Sequence, residues 1–230
     1  MVVAISSADR HDSRCWSGMD GPIVAKVLLR IQDCLDSGNK KIPLLAFGAS
    51  SGGGFVSSVL PQAITTAGGT LHGYISQIAA SSRSTPLSSV FITMNRDTRT
   101  DANAKEIIKS FQEKQLSAKH IRLDPVPLKP DFFSERILII DSDLSTQMVQ
   151  DLKDAMLIDD KGMLQGDPRQ SNWRSVLQKH ADKIDDGLVA DASPLSEVMN
   201  VAWGMHEMAR DGVKDALSFL MKNSTYSNKL

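Results

Sequence analysis

Residues 44–55 read Leu-Leu-Ala-Phe-Gly-Ala-Ser-Ser-Gly-Gly-Gly-Phe, an apolar strand that passes through a glycine-rich turn into a helix. No other stretch constrains the fold as tightly. Within it, Gly48-Ala49-Ser50-Ser51-Gly52 fits G-x-S-x-G, the pattern of a nucleophile elbow. A serine at the tip of so sharp a bend has a strained backbone, and glycines on both flanks let strand and helix approach. The hydroxyl then stands above the sheet at a helix N-terminus, whose N–H groups favour developing negative charge.

The surrounding pattern places this bend in an α/β domain. Short apolar runs predict strands at residues 2–5, 43–47, 71–78, 88–93 and 118–123. The first helix is expected to start near Asp20 and Pro22 and to stop at Gly38, with Ile23, Val24, Val27, Leu28, Ile31 and Leu35 on its apolar face. Phe55, Val56, Val59 and Leu60 mark the helix after the bend, which Pro61 breaks or bends. Ala104, Ile107, Ile108 and Phe111 mark another. Strands alternating with helices predict a doubly wound, mostly parallel sheet of about five or six strands. The rhythm stops at residues 124–130, where three prolines read as an extended linker. Residues 1–130 thus form an α/β core carrying the bend. Residues 131–190 form a helical insertion or cap, in which Ser145 caps a helix, residues 159–162 turn, and Trp173, Val176 and Leu177 mark a second helix. Residues 191–230 supply C-terminal helices that complete the core.

Bulk properties exclude several classes. A net charge of -1 and an aromatic content of 5% give no case for nucleic acid or an anionic membrane. No apolar run reaches the roughly 20 residues that span a bilayer, and no signal peptide is legible at the start. Cys15 and Cys34 lack metal-ligand spacing, so free thiols in a reducing, cytoplasmic setting are expected.

A serine nucleophile needs a base, and the base needs a third group to hold its tautomer. Ser50, Asp97 and His206 follow one another in the order serine, acid, histidine. Asp97 follows the strand at 88–93, at the C-terminal end where open α/β sheets place their sites. Asp141 and Asp143 are alternative acids, and Asp97 is otherwise a solvated turn residue. His206 falls four residues after Ala202, so the alternative for it is a core histidine on an apolar helix face. The backbone N–H of Ser51 is the candidate oxyanion donor. His11, His72, His120 and His180 read as surface or packing residues, Cys15 and Trp16 as ordinary loop packing. The acidic positions from Asp151 to Asp160 read as a solvated helix face.

With these residues in place, the chain resembles the α/β-hydrolase superfamily. In particular it is similar to uncharacterised hydrolase-like proteins of plants and algae, through Val2-Val3-Ala4-Ile5-Ser6-Ser7, residues 48–55, and Asn200-Val201-Ala202-Trp203-Gly204-Met205-His206-Glu207. The resemblance covers most of the chain. It implies cleavage of a small-molecule ester, thioester or amide through an acyl-enzyme, without a metal or organic cofactor. Such folds carry three strands before the one that residues 2–5 match, and the loop after the third gives the second oxyanion donor. The resemblance therefore leads one to expect an N-terminally shortened sheet that lacks this loop.

Two rival classes share the turn. Gly48, Gly52 and Gly54 also satisfy G-x-x-x-G-x-G and resemble the opening of short-chain dehydrogenases, where a dinucleotide pyrophosphate meets the helix N-terminus. Against this, a strand and a helix are expected before the motif. No Tyr-x-x-x-Lys pair exists either, since Tyr74 is followed by Ile78 and Tyr226 lacks the spacing. The third class is a non-catalytic binding or scaffold protein with a relic elbow.

Overall fold

A computed structural model describes residues 2–5, 15–36, 42–81, 87–184 and 193–223. His11, Gly38 and Tyr226 lie outside the described residues. The chain divides into two compact units: residues 1–93, 98–122 and 210–230 form the first, residues 94–97 and 123–209 the second.

The first unit is α/β. Strands β1 (Leu44–Ala49), β2 (Leu71–Gln77), β3 (Ser88–Met94) and β4 (Ala118–Leu123) form a four-stranded sheet in the order β1-β2-β3-β4. β1 pairs with β2 and β2 with β3 in parallel. The bonds from Ser89 N–H to Ser117 O and from Asn95 N–H to Leu123 O advance in step, so β4 runs the same way. Among the described residues the sheet thus has four strands, not the expected five or six. Residues 2–5 form no strand, and Val2 is 95% exposed. So short an apolar run gains too few ladder bonds and cross-strand contacts to offset the entropy of ordering it.

Helix covers both faces of the sheet. Tyr74 turns to one side, into a core with Val24, Phe55, Ile64, Phe91 and Phe111. Neighbouring Gly73 faces the other side, where an added Cβ would lie 3.1 Å from Leu220 of α9 (Val213–Asn223). Helix α1 (Asp20–Leu35) starts where expected but buries a narrower stripe than its apolar residues suggest. Val24 and Ala25 are buried, whereas Ile23, Val27 and Leu35 are exposed. The stripe turns because Gly21 lets α1 sit against α3 (Leu60–Thr66), where a Cβ would meet Val59 at 2.9 Å. The chain breaks at Val59, so α2 (Ser51–Ser58) and α3 are separate helices, with Pro61 in the first turn of α3.

A polar cluster ties α4 (Thr98–Glu113) to the sheet. The buried Asp101 carboxylate accepts from Thr93 Oγ1 at 3.0 Å and Lys105 Nζ at 2.6 Å, with Arg122 Nε at 3.5 Å. His120 Nε2 lies 2.7 Å from Thr93 Oγ1 and 3.4 Å from Asp101. Burial raises the Asp101 pKa, but the bonds from Lys105 and Thr93 outweigh it and hold the carboxyl below its usual range. Burial lowers the His120 pKa, and the Asp101 charge opposes this without cancelling it. Both groups therefore bind protons more weakly folded than unfolded, so each stabilises the fold above its unfolded pKa and loses that contribution as pH falls. Urea midpoints are expected to drop in two stages on acidification, the first below the ordinary histidine value of 6.5 and the second below the ordinary aspartate value of 3.8. His120→Gln diminishes the first stage and leaves the part due to His72, whose pKa burial also lowers.

The second unit has its own core, in which Phe133, Met148, Leu152, Trp173, Leu177, Leu195 and Met199 are packed together. It comprises α5 (Ser142–Asp154), α6 (Trp173–Leu177), a 3-10 turn (Gln178–His180), α7 (Ala181–Ile184) and α8 (Pro194–Trp203). Ser145 is not the cap of α5. Asp141 caps it, accepting from Leu144 N–H at 2.7 Å, and buried Ser145 accepts from Phe133 N–H at 3.1 Å. Residues 159–162 turn as expected, the Asp159 carboxylate accepting from the N–H groups of Lys161 and Met163. Among the described residues, no helix is long and apolar enough to cross a membrane.

Candidate active site

The bend after β1 is built by close contact. Ser50 is the N-cap of α2, with φ 51° and ψ −122°, a conformation that costs a side-chain-bearing residue about 1–3 kcal/mol. The surroundings enforce it. Ser50 N–H donates to Gln77 O at 2.9 Å at the end of β2, and Gly54 N–H donates to Ser50 O at 3.0 Å. Ile78, the next residue along β2, is itself at φ 46° and buried, with its N–H bonded to Ile92 O at 2.8 Å. Two strained residues thus stand side by side where β1 and β2 end.

The glycines have unequal parts. A Cβ on Gly48 would lie 2.1 Å from Gly52 O, so strand and helix meet backbone to backbone there. A Cβ on Gly53 would lie 2.8 Å from Ser76 Oγ and 2.9 Å from Ala79 Cβ. One on Gly52 meets only the Trp16 ring, at 3.5 Å. The second glycine of G-x-S-x-G is thus free to carry a methyl, and it is Gly53 that the packing requires. Gly48→Ala is expected to cost about 3 kcal/mol or more in urea unfolding, whereas Gly52→Ala stays within about 1 kcal/mol of the parent.

Ser51 begins α2, so its N–H is among those at the helix start with no partner inside the helix. Trp16, expected as loop packing, stacks on Phe55 with ring centroids 4.7 Å apart and covers the first turn of α2. No local signal for this exists, because a lone tryptophan in a polar stretch does not name its partner.

In the second unit, His206 Nδ1 lies 2.6 Å from Asp97 Oδ2, across 109 residues of sequence. The imidazole is 42% exposed and the carboxylate 11%. The core-histidine alternative for His206 is therefore excluded. Helix α8 ends in a Schellman motif: Gly204, at φ 76°, donates to Val201 O, and Met205 N–H donates to Asn200 O. His206 follows two residues beyond that glycine. Asp97 ends a tight turn in which its N–H bonds Met94 O at 3.1 Å. The alternative acids are placed otherwise, Asp141 as the cap of α5 and Asp143 exposed in its first turn.

The remaining described histidines have partners. His72 Nδ1 accepts from Leu44 N–H at 3.1 Å where β1 and β2 begin. His180 is buried and lies 2.6 Å from Asp151, another histidine–aspartate pair that the sequence did not signal. Asp151 is correspondingly no solvated face residue. Burial raises its pKa, but hydrogen bonds from Lys179 and His180 bring it below the usual carboxylate range. Among the described residues, no three His, Cys, Asp or Glu side chains converge as metal ligands do.

The sheet also bears on the dinucleotide alternative. With residues 2–5 outside it, β1 is the first described strand, so the objection that a strand precedes the motif falls away. A different one replaces it. Among the described residues the order β1-β2-β3-β4 never reverses and β1 lies at an edge, so no switch-point crevice of the kind that holds a dinucleotide is seen there at the glycine turn. Comparison with protein-family models, curated proteins and solved structures yields no match.

Proposed function

We propose that this chain is a serine hydrolase of the α/β-hydrolase type, cleaving an ester, thioester or amide of a small molecule through an acyl-enzyme. Ser50 is the nucleophile, His206 the general base and then acid, Asp97 the group that orients the imidazole, and the N–H of Ser51 an oxyanion donor. What supports this most is the backbone of Ser50. A serine occupies a position, at φ 51°, where glycine is the unstrained choice, and it does so at a helix start. The 2.6 Å approach of His206 to Asp97 supports it independently, since an Nδ1–H held by a carboxylate leaves Nε2 as the proton acceptor.

Each proton and bond has a place. Ser50 Oγ bonds to the substrate carbonyl carbon as its proton passes to His206 Nε2. The carbonyl oxygen takes the negative charge facing the start of α2. Collapse of that intermediate breaks the bond to the leaving oxygen, sulfur or nitrogen, which takes the proton from Nε2. Water then attacks the acyl carbon as it gives one proton to Nε2, and when the bond to Ser50 Oγ breaks, Oγ takes that proton back and the acid is released.

A fluorophosphonate probe, which is attacked by an activated serine, tests this directly. Peptide mapping is expected to find it on Ser50, with labelling lost in His206→Ala. Absent labelling, labelling confined to another serine, or labelling that survives unchanged in His206→Ala overturns the assignment.

A further inference from the structure

The His206–Asp97 hydrogen bond lies in the open, and its two residues sit on separate turns. A single hydrogen bond to a half-exposed imidazole favours its closed geometry by only about several-fold over the open one. Something else must keep the turns in register, and two contacts beside the pair are placed to do so. Arg96, the residue before Asp97, donates its N–H to Gly204 O at 2.8 Å. Its guanidinium carbon lies 3.3 Å from the ring centroid of Trp203. The acid's turn is therefore joined to the base's turn through both backbone and side chain.

Both anchors are fixed from behind. Trp203 is the last residue of α8, and Gly204 is held by the Schellman motif and packs against Pro125, where a Cβ would lie 3.2 Å from Cγ. Val126 N–H bonds Ala202 O at 3.0 Å, and Asn95 N–H bonds Leu123 O at 2.8 Å, so residues 95, 123–126 and 202–204 form one hydrogen-bonded hub. Past the hub, Glu207 accepts from Asn200 Nδ2 at 3.3 Å and closes the turn on the far side of His206.

We infer that Arg96 and Trp203 are positioning residues: their stacked contact holds Asp97 against Nδ1 of His206 and so selects the imidazole tautomer whose Nε2 carries no hydrogen and can accept a proton. A planar, delocalised cation suits this better than an ammonium, because it covers an indole face while its own backbone N–H is engaged. The inference rests on the proposed role of the pair, but its principal readout needs no turnover.

Long-range nitrogen–proton NMR of the full chain at alkaline pH reports which ring nitrogen of His206 carries the hydrogen. The parent is expected in the Nδ1–H form. Arg96→Met keeps the stem of an exposed side chain and removes the cation, so the fold should survive; it is expected to shift His206 by at least about fivefold toward the Nε2–H form. Trp203→Leu should do the same, whereas Trp203→Phe, which retains a ring, should keep most of the Nδ1–H form. If an ester is turned over, Arg96→Met is expected to lower kcat about tenfold with KM unchanged, and Arg96→Lys to restore part of it. A folded Arg96→Met protein with the parent's tautomer ratio overturns the inference. A tautomer shift in a chain whose Ser50 takes no fluorophosphonate upholds it while the hydrolase assignment falls.

Discussion

Ser50→Ala is expected to lower kcat for an ester substrate by about 10⁶-fold, the scale on which removing the nucleophile from a serine triad acts. The substitution deletes one oxygen and leaves a Cβ at φ 51°, so the strain of the bend remains and the urea midpoint should stay near the parent's. Ser50→Gly makes a sharper test. It is equally inactive, but it removes the side chain from a conformation that disfavours one, and it should be more stable by about 1 kcal/mol. Inactivity with raised stability would show that the fold bears strain at Ser50 for the sake of its hydroxyl. A Ser50→Ala protein that retains turnover would end the nucleophile assignment.

Asp97→Asn is expected to lower kcat by about 10⁴-fold with little change in stability. Asparagine is nearly isosteric, yet its amide can donate to Nδ1, which favours the tautomer whose Nε2 already bears a hydrogen. The base is then blocked without being displaced. Asp141 and Asp143 serve as controls of opposite kinds. Asp141→Asn disturbs a helix cap, so it costs at most about 1 kcal/mol and leaves kcat alone, and the exposed Asp143→Asn changes neither. Loss of activity in either control, with Asp97→Asn active, would transfer the orienting role away from Asp97.

The elements read most easily from sequence are those whose signals are local. β4 was legible residue for residue at 118–123, and α1 starts at the expected Asp20. The strand–turn–helix at 44–58 was legible because its glycines answer contacts only a few residues apart, as between Gly48 and Gly52. Where sequence reasoning missed, a distant partner decided. The apolar run at 2–5 found no strand to join. Ser145 looked like a cap but bonds Phe133, and Asp141 took its place. His180 looked like packing but meets Asp151, 29 residues away.

The same division runs through the candidate site. The chain itself places a serine among glycines that allow a sharp bend, because without a Cβ strand and helix can meet there. It also determines the order serine, acid, histidine. Only the tertiary structure decided which aspartate meets His206, since three were compatible with that order and the partner is 109 residues away. It alone set Arg96 on Trp203 as well, and buried the Asp101 cluster between helix and sheet. Neighbours along the chain interact through a few torsions and can be anticipated from residue types. Side chains from separate turns are brought within hydrogen-bond reach only when the packing of the intervening elements has been settled.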